Sequence, residues 1–370
     1  MKNFLYRIKN KLYFPVQLLI RIFIIIIKKD YSKYPRYVFE LEKELCNKFN
    51  SKFSLTFSSG TAACFASILS LGHKKNSLAL VSKLSFPSTI ISLIDSNYKI
   101  KYYDFDSNFN PIFSVLENDV CPDLIVYTHV FGFPVGFQSL EIIKKKYKHA
   151  KIIFDCSHSQ GAKFNNKNLN EYADLSFFSI QGSKAISGGE GGFVLTNNEI
   201  YYNRMIRMFH PGRLSSEIEN KYTGVAMSIK LRMHPLAAVI ASDSLKKLEK
   251  FNHNIIQKIN SIYKVLLNQE LIKIPNTQNL SLGGFHYGLP FYSDKDFRKN
   301  TFVPIKRYNW PFYEKNNYYN SEIFHSSNFV EKEITYSEIA QFREKYRECA
   351  IRAVIIYFSL IDLCKLNHMY

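Results

Sequence analysis

Lys184 stands at the end of the run Ser179-Ile180-Gln181-Gly182-Ser183-Lys184, and Gly188, Gly189, Gly191 and Gly192 follow it around Glu190. Glycines let a loop adopt positive φ and let a ligand lie against the backbone. A lysine in a tight, partly desolvated loop loses the hydration that favours its charged form, so its amine becomes a nucleophile. Upstream, the apolar run 151–155 ends in Asp155, and His158, Gln160, Gly161 and Ala162 come after it. An acid at a strand end can hold the protonated ring nitrogen of an electron-sink cofactor. A third cluster, Phe57-Ser58-Ser59-Gly60-Thr61-Ala62-Ala63, is a small polar turn that opens into an apolar run. Its hydroxyls, its glycine and the unsatisfied N–H groups of a helix start favour a phosphate. The G-K-[ST] ending of a Walker loop is missing. Each cluster also has a plain reading: a solvated lysine, a capping Asp, an ordinary helix cap. A metal on Asp155 and His158 would lack further ligands nearby in sequence, so no metal site is expected.

These residues need a frame. Short apolar or β-rich runs at 77–82, 99–103, 123–128, 151–155, 175–180 and 192–196 alternate with helical stretches at 61–71, 87–96 and 136–149. Such a rhythm predicts a mostly parallel sheet covered by helices on both faces. Ligands of such sheets bind at the carboxyl ends of the strands. A helical stretch at 34–48 precedes the rhythm, and a long one at 235–269 follows it. Beyond that, 285–292 and 301–305 read as strands and 333–364 as mostly helical. The expected division is an apolar and basic segment at 1–33, a large domain at 34–245 and a smaller α+β domain at 246–370.

The chain of 370 residues has room for one large core and a second, smaller one. Its formal net charge of +18 calls for anionic partners, such as phosphorylated metabolites or an acidic membrane surface. No zinc finger, RNA-recognition signature or basic zipper is present in the sequence, so nucleic acid is not expected. The six cysteines show no C-x-x-C pair, which fits a reducing cytosol. Residues 12–27, LYFPVQLLIRIFIIII, lie between Lys9 and Lys11 on one side and Lys28 and Lys29 on the other. No small-residue cleavage site follows, which argues against a signal peptide. The run is short for a membrane span and contains Gln17 and Arg21. A span, an interfacial helix with its lysines on anionic headgroups, and a helix packed on the protein or on a dimer partner all stay open.

Taken in order, the motifs Ser59 to Ala63, Ser85-Phe86-Pro87-Ser88-Thr89, His129 with Gly132, Asp155 to Gly161, Ser179 to Gly192 and Arg232-Met233-His234-Pro235-Leu236-Ala237-Ala238 resemble the DegT/StrS family of sugar aminotransferases. The resemblance covers roughly residues 34–241. It implies the α/β architecture of fold-type I pyridoxal-phosphate transferases, with pyridoxal 5'-phosphate as cofactor. It implies that Lys184 holds the cofactor covalently and shuttles the proton. Asp155 would pair with the pyridinium nitrogen, His158 would approach the phenolic oxygen, and Phe86 would stack on the ring. Gly60, Thr61 and Ser179 would bind the phosphate beside the Ser59 hydroxyl. Lys230 stands where the family commonly has an asparagine that reaches the phosphate of the neighbouring subunit, and it can serve as a point charge there. The implied reaction moves an amino group from an amino acid, glutamate first, to a nucleotide-linked keto-sugar. The implied product feeds surface polysaccharide such as O-antigen, and the implied assembly is a cytoplasmic homodimer, with residues 12–27 a candidate contact to the inner membrane face. Two alternatives remain. One is a deoxysugar dehydratase of the same fold, whose known variants carry histidine in place of the lysine. The other is a non-catalytic relative, left open by a last third in which only Arg307-Tyr308-Asn309-Trp310-Pro311 resembles the family's usual ending.

Overall fold

The computed structural model describes residues 16–28, 36–105 except 74 and 83, 111–112, 120–133, 137–210, 213 and 229–267, and four short strands beyond. Helix α1 (Val16–Lys28) comes first, then α2 (Arg36–Phe49). The main body follows as β1 (Phe53–Phe57), α3 (Gly60–Ser70), β2 (Leu78–Ser82), α4 (Pro87–Asp95), β3 (Lys99–Phe105) and β4 (Pro111–Ile112). It continues through β5 (Leu124–Thr128), α5 (Phe137–Lys146), β6 (Lys151–Asp155), the small pair β7 (Lys163–Phe164) and β8 (Lys167–Asn168), β9 (Leu175–Ser179), β10 (Gly192–Thr196), α6 (Glu199–Phe209) and α7 (Pro235–Leu267).

The main sheet runs β1-β10-β9-β6-β5-β2-β3-β4. Strands β9, β6, β5, β2 and β3 run parallel to one another, whereas β1, β10 and β4 pair antiparallel at the two ends. The mostly parallel sheet expected from the sequence is therefore present. Side chains alternate along each strand, so one sheet supplies two cores. Leu80, Ile125, Tyr127, Phe154 and Phe178 face α2, α5 and α7. Ala79, Val81, Val126, Ile153 and Phe177 face α3, α4 and α6. Because both faces are covered, the strands read as continuous apolar runs.

Besides the two-residue strands β4, β7 and β8, two longer elements of this body lie outside the runs expected from the sequence. Strand β1 and helix α6 were not expected, yet β1 closes the edge beside β10, and α6 covers it with Tyr201, Met205, Ile206 and Phe209 buried. Asn198 starts α6, its side chain accepting from the amides of Ile200 at 2.9 Å and Tyr201 at 3.3 Å.

Helix α7 runs unbroken through the expected boundary at 245/246. The late strands β11 (Ile272–Lys273), β12 (Leu289–Ser293), β13 (Phe302–Pro304) and β14 (Ala353–Ile356) form an antiparallel sheet in the order β11-β12-β14-β13. The expected strands near 290 and 303 are there, but β14 falls inside a stretch read as helical. Three of its four residues, Val354, Ile355 and Ile356, are β-branched, and it pairs on both sides, which overrides a helical periodicity. The rest of 333–364 and the run Arg307 to Pro311 lie outside the described residues.

Candidate active site

The carboxyl ends of the parallel strands collect the sequence candidates along one edge. Asp155 ends β6, Ser179 ends β9, and Ser85 and Phe86 follow β2. At the antiparallel end, β1 leads through Ser58 into α3. Ser59 caps that helix, its Oγ accepting from the Ala62 amide at 3.0 Å. Backbone packing is close here. A Cβ on Gly60 would stand 2.6 Å from Cβ of Ser179, and one on Gly192 would stand 2.5 Å from the carbonyl oxygen of Ser59. Only glycine at both positions lets the first turn of α3, the Ser179 hydroxyl and the start of β10 share this space. The Ser58 amide in turn donates to the Leu231 carbonyl at 2.8 Å, tying the turn to the segment before α7.

Lys184 lies in the connection 180–191 between β9 and β10. That loop is not slack. The Ile180 amide donates to Gly191 at 2.9 Å, the Gly188 amide to Ile180 at 2.8 Å, and the Lys184 amide to Gln181 at 2.8 Å. Gly189 and Gly191 hold φ of +84° and +145°, a backbone that a side chain would strain. Gln160 clamps the loop from below. Its Nε2 donates to the Ser179 carbonyl at 2.6 Å, and its Oε1 accepts from the Ile186 amide at 2.5 Å. Asn252 on α7 donates to the Gln160 carbonyl at 3.0 Å. Nothing in the sequence distinguishes Gln160 from its neighbours. Its task depends on two backbone groups brought together by the fold on either side of Lys184.

The electrostatics are coupled. Burial lowers the Lys184 ammonium to about 8, and the nearby Asp155 carboxylate opposes that drop. Burial raises the Asp155 carboxyl, while hydrogen bonds from Ser157 and the Lys184 charge pull it back. The Ser157 amide reaches Asp155 Oδ1 at 3.0 Å. Behind Asp155, burial drives the Cys64 thiol up to about 12, which leaves it a small inert apolar group. His129 donates its amide to the Asp155 carbonyl at 3.1 Å, and its ring packs edge-on against Phe154 with centroids 4.7 Å apart. Burial lowers that imidazole to about 3, so it stays neutral.

The remaining candidates are more open. His158 is partly buried beyond Asp155, and Thr61 is exposed at the start of α3. Phe86 caps α4 with 63% of its surface exposed, after β2, the strand next but one to β6. Lys230 is exposed in the segment that leads to α7. Among the described residues, no group of three or more His, Cys, Asp or Glu side chains is arranged to hold a metal ion.

The chain is 24% identical over 235 residues to GDP-perosamine synthase of Escherichia coli O157:H7, covering 63% of each protein. It is 26% identical over 231 residues to a UDP-4-amino-4,6-dideoxy-N-acetyl-beta-L-altrosamine transaminase of Campylobacter jejuni, covering 60% of each. The chain thus spans less than two thirds of the length of these two relatives. Its fold matches Helicobacter pylori PseC with a TM-score of 0.73 at 18% identity, over 95% of this chain and 94% of that one. It also matches E. coli GDP-4-keto-6-deoxy-D-mannose-3-dehydratase, with a TM-score of 0.69 at 18% identity over 95% of each chain. Residues 25–336 match the model of the DegT/DnrJ/EryC1/StrS aminotransferase family, and the chain belongs to that family.

Proposed function

We propose that the chain is a pyridoxal-phosphate aminotransferase that moves an amino group from glutamate or a similar amino acid to a nucleotide-linked keto-sugar, in the making of amino sugars for a surface polysaccharide such as O-antigen. The observation that carries this reading is the pairing of a lysine lowered to about 8 with a buried carboxylate at the carboxyl edge of the sheet. The donor set fits the cofactor. The first turn of α3 and the hydroxyls of Ser59, Thr61 and Ser179 suit its phosphate. Asp155 suits its ring nitrogen, His158 its phenolic oxygen, Phe86 its ring face, and the Lys184 amine its aldehyde. When bound, the cofactor supplies an electron sink for the carbanion formed beside the transferred nitrogen.

The chain's own residues then have distinct tasks. Asp155 keeps a proton on the ring nitrogen, which is where a negative charge at a buried site is most useful. Lys184, its pKa lowered to about 8, would take the proton from the donor carbon and return it two bonds away, on the far side of the nitrogen. The Gln160 clamp holds the backbone on both sides of that amine. Lysine at 184 supports transamination over the dehydratase alternative, for which histidine is expected. Lys230 would complete the phosphate site of a neighbouring subunit in a homodimer, and the basic surface suits a diphosphate-linked sugar.

Absorption spectroscopy of the purified full chain tests the reading. Reconstituted protein should show the visible band of lysine-bound cofactor, and glutamate should discharge it. Lys184→Ala should lack that band and lose activity by at least about a thousandfold. A wild-type chain that takes up no cofactor on reconstitution overturns the proposal.

A further inference from the structure

Helix α1 has two apolar faces, and among the described residues only one of them is packed. Leu18 and Ile25, with Ile22 beside them, pack on Leu236 and Val239 of α7 and on Tyr37 of α2. That contact fixes the helix to the domain. On the other side Leu19, Ile20, Phe23, Ile26 and Ile27 are 51–63% exposed. At about 100° per residue these five positions fall within an arc of about 120° centred on Phe23. They form one continuous apolar strip along the helix, the kind of exposed patch that marks an interaction surface.

We propose that this strip docks the protein on an anionic lipid surface. The described helix is too short to cross a bilayer: its thirteen residues span about 20 Å, against a hydrocarbon core of about 30 Å. No described helix is long and apolar enough to cross a membrane. Charge selects the occupant. Residues 1–29 carry seven Lys or Arg and no Asp or Glu. A second copy docked on the same face would bring the same positive charge against it, whereas anionic headgroups complement it. An apolar strip with basic flanks is the arrangement of a helix lying in the membrane interface. Leu19, Ile20 and Phe23 of the strip also precede the family match. The family match begins at residue 25, so residues 16–24 of the helix precede it. The inference is independent of the proposed reaction.

Sedimentation of the full chain with vesicles tests it. The protein should pellet with vesicles of phosphatidylcholine and phosphatidylglycerol, and at least about tenfold less with phosphatidylcholine alone, since each basic residue near the surface adds attraction. Raising salt should release wild-type protein, a measurement that needs no variant. Phe23→Ser with Ile27→Ser should reduce binding at least about tenfold. The buried Leu18 and Ile25 are untouched in that variant, so its circular dichroism should match the wild type. The proposal is overturned if wild-type protein does not pellet, if neutral vesicles bind it equally, or if the double variant binds as well as wild type. It is also overturned if the double variant, in the absence of vesicles, dissociates an assembly that the wild type forms, because the strip then belongs to a second copy.

Discussion

Asp155 and Glu42 are both carboxylates with about 5% of their surface exposed, and they do opposite things. Glu42, on α2, is saturated. Its Oε1 accepts from the amide and the hydroxyl of Thr56, each at 2.9 Å, and from Nη1 of Arg213 at 3.0 Å. Its Oε2 pairs with Nη2 of Arg213, whose guanidinium lies 4.4 Å from the Phe39 ring centroid. Asp155 takes its hydrogen bonds from one neighbour, Ser157, and faces a lysine on a clamped loop at the open edge of the sheet. Burial alone therefore does not mark a functional carboxylate. What separates the two is whether the fold has already used their acceptor capacity. Glu42 locks α2 to β1 and to the chain after α6, whereas Asp155 keeps a charge available for a partner.

The sharpest way to break this contrast is to neutralise each in turn. Asp155→Asn should cut transaminase activity by at least about a thousandfold, since the proton on the ring nitrogen is no longer held. Its folding stability at neutral pH should not fall. Asp155 is raised above its ordinary 3.8, so the folded chain holds that proton more tightly than the unfolded chain does. Such a group costs stability once pH rises through the window above 3.8, and asparagine removes that cost. Glu42→Ala should do the reverse, losing about 3–5 kcal/mol in a denaturant titration because Arg213 is left buried and unpaired. Adding Arg213→Met should recover part of that loss. A Glu42→Ala protein as stable as wild type would erase the distinction.

A smaller effect tests the clamp between these extremes. Gln160→Met strands the Ser179 carbonyl and the Ile186 amide and should cost about 1–3 kcal/mol. Cofactor affinity should fall as well, because the loop on either side of Lys184 loses its ties. Unchanged affinity would make Gln160 merely structural, like Glu42. The smallest shift concerns Lys184 itself. In cofactor-free protein its reaction with an aldehyde probe should rise with pH around a midpoint near 8, not near the ordinary 10.5. The neutral amine is the reacting form. In Asp155→Asn the midpoint should fall below 8, since the carboxylate is what holds the ammonium up against burial. A midpoint that stays put would uncouple the pair.

Local order was legible in the residues alone. The apolar runs that became β2, β5, β6, β9 and β10 are buried on both faces, so each announced itself as a strand. Ser59-Gly60-Thr61 showed a helix start, and Lys184 ahead of its glycines showed a loop built for close approach. These features depend on neighbours within a few positions, where propensity and spacing act. Strand β1 and helix α6 were missed because β1 pairs with β10, and α6 packs on β1 and α3, across more than a hundred residues of chain. The same holds for Gln160, whose amide is defined by Ser179 and Ile186, and for Glu42, whose partner Arg213 is 171 positions away. Exposure of the outer strip of α1, and not its hydrophobicity, was likewise settled only when the inner strip found α7. Sequence by itself determined which residues could hold charge, phosphate or a reactive amine. The tertiary structure decided which of them keep that capacity, because desolvation and hydrogen-bond saturation are properties of a residue's surroundings in space.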